Sequence, residues 1–380
     1  MAFALAGARI FDGEHLRDGE AIIVDKGRVR AIVKDGDLPA GVAVRRVEGL
    51  LAPGFIDVQV NGGGGVLLNN EPTVDGIRTI AAAHRRFGTT GLLPTLITDT
   101  GERMAEAIVA VRRAMDEGVP GILGIHLEGP YLNPHRKGVH DPALMRRIGE
   151  EDIALVTSLG RGRTLLTIAP ELTTPEIIRR IAEAGTIIAA GHTAASYDDM
   201  RAAARAGLTG VTHLFNAMPP LAGRDPSVVG AALDDPELYP SLIVDLFHVS
   251  APSLRIAIAA KGWERMILVT DAMSTVGSDL KSFELGGRTI FRSNGRLTTA
   301  EGTIAGSDLD MSTAVRNTVE ALGLPIEAAL HMASRAPAEL LGLGAELGRI
   351  APGYRASLVL LDDGLRVTET WIDGASTERD

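Results

Sequence analysis

The 380-residue chain contains no cysteine. That excludes a disulfide framework and thiolate chemistry, so any metal ligands must be His, Asp, Glu or another oxygen donor. Aromatic residues are only 4% of the chain, against 45% apolar residues in total and 44 glycines. A core built from Ala, Val, Ile and Leu suits an α/β enzyme, and such a composition argues against disorder over most of the chain. Positive charge is short as well: 38 Lys and Arg face 48 Asp and Glu, a formal net charge of -10. A nucleic-acid binder steered by phosphate attraction is not expected from that balance, and an anionic substrate would need a local basic site. No uninterrupted apolar run reaches the roughly 18 residues of a membrane span. The segment MAFALAGARIF has no basic stretch ahead of its apolar residues, so neither a signal peptide nor membrane attachment is expected. The expected location is cytoplasmic.

What is present reads as one large unit and one small one. ALAGARIF and GEAIIVDKGRVRAIV read as short strands, with a turn at Asp25-Lys26-Gly27, and a similar texture returns in GRIAPGYRASLVLLD and VTETWIDG. Residues 1–52 and 345–380 are therefore expected to pair into one small β domain around a hydrolase barrel at 53–344. In that middle region eight apolar segments alternate with helical stretches: GFIDVQV, GLLPTLI, ILGIHLE, LLTIAPE, TIIAAGH, GVTHLF, LIVDLFH and MILVTDA. Eight strands close a parallel (β/α)8 barrel of the TIM type, although a doubly wound sheet would alternate in the same way. Polar residues favour the barrel. Asp57, Glu128, Glu171, His192, His213, His248 and Asp271 stand at expected carboxyl ends of strands. A barrel brings all such ends to one mouth, whereas an open sheet leaves the outer ones too far apart to cooperate.

Glu128 closes IHLE, His192 closes IIAAGH and His213 closes VTH. Two imidazoles and a carboxylate at strand ends would form a mononuclear metal site with an open position. The plainer alternative is a solvent-facing glutamate and two locally bonded histidines. Asp271 in ILVTDAM is placed to take a proton from an attacking water and to hand one to the leaving group, or else to cap a helix or turn. His248 and His140 could orient a substrate from neighbouring loops. Arg224 and Asn216 follow the sixth strand, and an arginine fork there could hold a phosphate or carboxylate. NGGGGV lacks the GxGxxG and GK[ST] patterns of nucleotide loops, and reads instead as a flexible or tight turn. Gln59-Val60-Asn61 stands where a two-metal barrel would use His-x-His; neutral amides are poor ligands, so one metal is expected rather than two.

Over nearly its whole length the chain resembles the N-acetylglucosamine-6-phosphate deacetylases of the amidohydrolase superfamily. The resemblance rests on PGFIDVQVNG at 53–62, HLEGPYLNPHRKGVH at 126–140, APE at 169–171, GHT at 191–193, THLFNAMPPLAGR at 212–224, VTDAM at 269–273 and GTIAGSDLDM at 302–311. It implies a barrel with a small β domain made from both termini. It further implies a metal triad of Glu128, His192 and His213, with Asp271 as general acid and base. His248 would act at the substrate carbonyl, and His140, Asn216 and the backbone around Ala217 would contact sugar and phosphate. Arg224 would reach across a homodimer interface to the neighbouring site. One departure is Leu246, which takes the glycine position of the family's Asp-Gly-x-His. The implied reaction is metal-dependent hydrolysis of N-acetyl-D-glucosamine 6-phosphate to D-glucosamine 6-phosphate and acetate. One divalent ion per subunit is expected, zinc first, with Fe2+, Co2+, Ni2+ or Mn2+ suited to similar donors. Rival readings are an amidohydrolase acting on another N-acyl amino sugar or cyclic amide, a glycosidase using Glu128 and Asp271 as paired carboxylates, and a noncatalytic sugar-phosphate binder.

Overall fold

The computed structural model describes residues 2–377. Eight parallel strands follow one another in sequence order around a single sheet: β1 (Phe55–Val60), β2 (Thr89–Ile97), β3 (Gly124–Glu128), β4 (Arg163–Ile168), β5 (Ile187–Ala190), β6 (Leu208–Val211), β7 (Tyr239–Ile243) and β8 (Ile267–Val269). Each overlaps one of the eight apolar segments read from sequence, although β6 and β7 lie mostly ahead of GVTHLF and LIVDLFH and share only two residues with each. Strands this uniformly buried have no solvent face to alternate toward, which is why they read as continuous apolar runs. The choice between barrel and open sheet is settled at the seam between β1 and β8. The backbone N–H of Asp271 donates to the carbonyl of Gln59 at 3.0 Å, and that of Asn61 to Ala272 at 2.9 Å. Val60 and Ala272 form a parallel bridge, so the sheet is nearly closed.

Asp57 is the clasp of that seam, which corrects its reading as a mouth residue. It lies within β1, fully buried, and its carboxylate accepts from the Thr270 hydroxyl at 2.5 Å and from the backbone N–H of Gln59 and Thr270 at 3.2 and 3.3 Å. Burial pushes its pKa up to about 7 despite those three donors. Glu171 is also displaced from the expected mouth. It holds the loop beyond β5, accepting from Asn133 Nδ2, Thr193 Oγ1 and the backbone N–H of Ala194.

Helices pack outside the barrel, several capped by a threonine or serine whose side chain accepts a first-turn N–H. Thr73, Thr100, Thr174 and Ser196 start the helices Val74–Arg85, Gly101–Asp116, Pro175–Glu183 and Tyr197–Arg205 in this way. Helices at Glu150–Val156, Ser227–Asp234 and Ala251–Lys261 escaped sequence reading. The segment IEAALHMASRAPAEL forms two helices, Ile326–Ala333 and Arg335–Leu340. The break falls at Ser334, and Pro337, which lacks an N–H, sits in the first turn of the second helix.

The small β part joins both ends of the chain. A six-stranded sheet runs Ala375–Thr377, Val367–Ile372, Leu358–Leu361, Leu50–Pro53, Arg9–Phe11 and Leu16–Arg17, so a strand leading into the barrel is flanked by strands from either terminus. A four-stranded sheet from residues 3–46 shares a core with it, including Leu5, Ile22, Leu51, Leu358 and Trp371. The expected turn is present: Glu20–Asp25 pairs with Arg28–Lys34 through Lys26 and Gly27, both at positive φ. Residues 378–380, expected in this unit, lie outside the described residues. A separate three-stranded sheet, Ser282–Leu285, Arg288–Ser293 and Arg296–Thr298, follows β8 and was not foreseen.

Candidate active site

The carboxyl ends of the strands surround a cavity of about 310 Å³. Glu128, His140, His192, His213, Asn216, Ala217, His248 and Asp271 all line it, so eight of the nine residues singled out from sequence meet in one place. Arg224 is the exception. It is exposed in a tight turn between Ala222 and Asp225 and does not line the cavity of its own chain.

At the floor, three atoms converge. Glu128 Oε1 lies 3.2 Å from His192 Nε2 and 2.9 Å from His213 Nε2, and the two imidazole nitrogens are 3.1 Å apart. His192 Nδ1–H donates to the carbonyl of Arg136 at 2.8 Å, which leaves Nε2 as the lone-pair nitrogen. A triangle of this size matches three ligands about 2.0–2.2 Å from one ion. His140 extends the cluster: Glu128, His140 and His192 offer ligand atoms within 4.8 Å of one another. That set is looser than the triangle with His213, and His140 Nδ1 is already engaged at 2.8 Å by Thr98 Oγ1. The buried His and Glu cluster thus suits a single divalent metal ion. Burial alone would raise Glu128, but the imidazoles of His192 and His213 facing its carboxylate outweigh it and hold the carboxyl well below the usual range. Burial pushes His140 down to about 3, so it is neutral.

Asp271 stands beside this triangle, and the amides that replaced His-x-His connect the two. Gln59 Nε2 donates both to Glu128 Oε2 at 3.1 Å and to Asp271 Oδ1 at 3.2 Å, while Asn61 Nδ2 donates to the same Asp271 oxygen at 2.7 Å. An –NH2 group carries two protons and can therefore serve two carboxylates at once. Burial, then the charge of Glu128, pushes Asp271 up to about 7. Across the cavity, His248 Nδ1–H donates to Asp245 Oδ2 at 2.6 Å. Burial works against protonation of His248, yet the Asp245 carboxylate prevails and its pKa is raised. Asp245 also turns the loop, accepting from the backbone N–H of Phe247 and of His248 at 2.9 Å.

Backbone strain concentrates here. His192, His213, Ala217, Leu246 and Asp271 have φ of 47°, 35°, 54°, 66° and 52°, a region non-glycine residues seldom occupy. Each costs on the order of 1–3 kcal/mol, and such costs cluster where a side chain must be aimed for function. At the ends of β5, β6 and β8 the left-handed turn swings the side chain inward from the strand end. Leu246 takes this left-handed conformation with its side chain 38% exposed rather than lining the cavity. Gly129 does need to be glycine: its φ is 95°, and a Cβ would lie 2.4 Å from Thr98 Oγ1, the group that fixes His140.

Sequence reading missed Gln59 and Asn61 as partners of Asp271, Asp245 as partner of His248, and Thr303, Ile304 and Gly306 as cavity wall. The Asp-x-x-His spacing of 245–248 was the available signal for one of these. The wall residues lie within the GTIAGSDLDM motif, but that motif gave no place in the site, because it arrives from an irregular segment after the unforeseen sheet.

The amidohydrolase family matches residues 50–376, and the NagA composite domain matches residues 2–51. The chain is 45% identical over 330 residues to an N-acetylgalactosamine-6-phosphate deacetylase of Shewanella sp. (strain ANA-3), covering 87% of this chain and 84% of that one. It is 33% identical over 378 residues to an N-acetylglucosamine-6-phosphate deacetylase of Haemophilus influenzae, covering 98% and 99%. The crystal structure of N-acetylglucosamine-6-phosphate deacetylase from Pasteurella multocida superposes with a TM-score of 0.96 at 33% identity over 100% of both chains. With the barrel, the cluster at its mouth and these matches over most of its length, the chain belongs to the amidohydrolase family and is closely related to the N-acetylglucosamine-6-phosphate deacetylases.

Proposed function

We propose that this chain hydrolyses the acetamide of N-acetyl-D-glucosamine 6-phosphate, releasing acetate and D-glucosamine 6-phosphate. The observation that carries the reading is Asp271 held beside the Glu128, His192 and His213 triangle by one shared amide, Gln59. Those three residues would hold the ion, zinc by preference, with Fe2+, Co2+, Ni2+ or Mn2+ suited to the same donors. When bound, the ion supplies Lewis acidity to the acetamide carbonyl and to water. Asp271 accepts the proton of the attacking water as its oxygen bonds to the carbonyl carbon. It then delivers that proton to the nitrogen as the C–N bond breaks, so that the amine leaves neutral. His248, favoured in its protonated form by Asp245, donates to the carbonyl oxygen. His140, Asn216 and the backbone at Ala217 contact the sugar and its phosphate. Arg224, exposed beyond those residues, reaches the phosphate of a second copy's site in a homodimer. On the same reading residues 1–52 and 345–380 form the small unit, 53–344 form the hydrolase barrel, and the enzyme works in the cytoplasm on a phosphorylated sugar. Among the described residues no helix is long and apolar enough to cross a membrane.

The C4 epimer, N-acetyl-D-galactosamine 6-phosphate, is the second reading, favoured by the 45% identity to the Shewanella protein. Acetate release from both epimers, phosphorylated and not, by metal-replete protein with its metal content measured, decides among these. The proposal expects the gluco 6-phosphate to give the highest kcat/KM. A higher value for the galacto 6-phosphate would establish the second reading, and ammonia release without acetate would overturn both.

A further inference from the structure

The cavity lining contains no lysine or arginine, although the proposed substrate carries a phosphate. We propose that Arg296 supplies a cation from within the same chain and sets the preference for a phosphorylated sugar. This rests on the deacetylase reading and deepens it.

Arg296 begins the last strand of the three-stranded sheet that follows β8. The strand is anchored on one face by Leu297, 1% exposed, which leaves Arg296 and Thr298 on the other face. Thr298 bridges to Ile304, which lines the cavity together with Thr303 and Gly306. At the preceding turn, a Cβ on Gly295 would lie 3.8 Å from the ring of Phe247, the neighbour of cavity-lining His248. The sheet is thus bridged to the cavity wall at Ile304, and its tip comes near Phe247 at the rim. Burial opposes protonation of His248 most, and the charge of Arg296 adds a smaller opposition.

Its freedom separates it from its neighbours. Arg292, on the adjacent strand, is committed to Asp308 Oδ2 at 2.7 Å and to the carbonyl of Ser278 at 2.9 Å. Arg296 is exposed, and its side chain forms no hydrogen bond or ion pair among the described residues. An unpaired guanidinium fork at the rim is suited to bidentate contact with phosphate oxygens. Lys137 flanks the lining residue Gly138 on a different loop, and serves as the comparison.

The test compares kcat/KM for N-acetylglucosamine 6-phosphate and N-acetylglucosamine in wild type, Arg296→Ala, Arg296→Lys and Lys137→Ala. The expected result is an approximately tenfold fall in the preference for the phosphorylated sugar in Arg296→Ala, carried by KM, with partial recovery in Arg296→Lys. An unchanged preference, or an equal fall in Lys137→Ala, would overturn the assignment. Calorimetric binding of glucosamine 6-phosphate and glucosamine needs no turnover and separates the two readings. A wild type that hydrolyses neither sugar, with phosphate-dependent binding lost in Arg296→Ala, would sink the deacetylase reading and keep this one; binding unaltered in Arg296→Ala would sink this one.

Discussion

Six side chains decide the chemistry, and two of them were read in sequence only for what they lacked. Asp271→Asn keeps the size and the hydrogen-bonding reach of the side chain but cannot take a proton. It should lower kcat by about two to four orders of magnitude with metal content at parity; near-wild-type turnover would remove Asp271 from the proton path. Gln59→Leu takes a donor from both Glu128 and Asp271. The expected loss is about 10–100-fold in kcat/KM or metal affinity, the scale of groups that orient ligands. Elemental analysis alongside kinetics shows which is affected, and a variant unaltered in both would show that the shared amide is incidental. Asp271, Glu128, His192 and His213 were legible because a charged or imidazole group ending an apolar run is expensive unless it has a task. Gln59 and Asn61 were not, since an amide gains its meaning from the carboxylates it faces across the barrel, far away in sequence.

At the scale of the strand, the seam between β1 and β8 depends on one buried carboxylate. Asp57 has a folded-state pKa near 7 against an ordinary value of 3.8. The folded chain therefore holds that proton more tightly than the unfolded one. The resulting stabilisation is fully present below the ordinary value and is lost as pH rises through the folded pKa. Asp57→Asn has no proton to lose there, so the gap in Tm between wild type and variant should shift in the variant's favour as pH rises from about 5 to about 8. A gap independent of pH would mean that Asp57 does not titrate in this range. The eight strands themselves were legible as apolar runs; Gly88, Gly118, Gly185 and Gly207, which end the intervening helices, all take positive φ. What could not be read was seam against mouth. Asp57 and Asp271 look alike in sequence, and only the register of β1 against β8 sends one to close the sheet and the other into the cavity.

Across the whole molecule, the small β part is tied together by a fork. Arg45, from the sheet of residues 3–46, gives two hydrogen bonds of 2.7 and 2.6 Å to the carboxylate of Glu369 in the other sheet. Glu369 is 8% exposed while Arg45 is 45% exposed, so solvent screens part of the attraction. Arg45→Met should therefore cost about 1–2 kcal/mol in a denaturant melt, most of it from the carboxylate left unpaired; a cost near zero would show the two sheets to be held by their apolar core alone. The central strand Leu50–Pro53 continues through Gly54 into β1, the strand that carries Asp57, Gln59 and Asn61, and its partner Leu358–Leu361 comes from the far end of the chain. Synthesis proceeds from the amino end. On the ribosome, the strand that leads into the barrel must wait with one edge unpaired until Leu358–Leu361 has emerged, so a much later stretch shields the earlier one from sticking to other nascent chains.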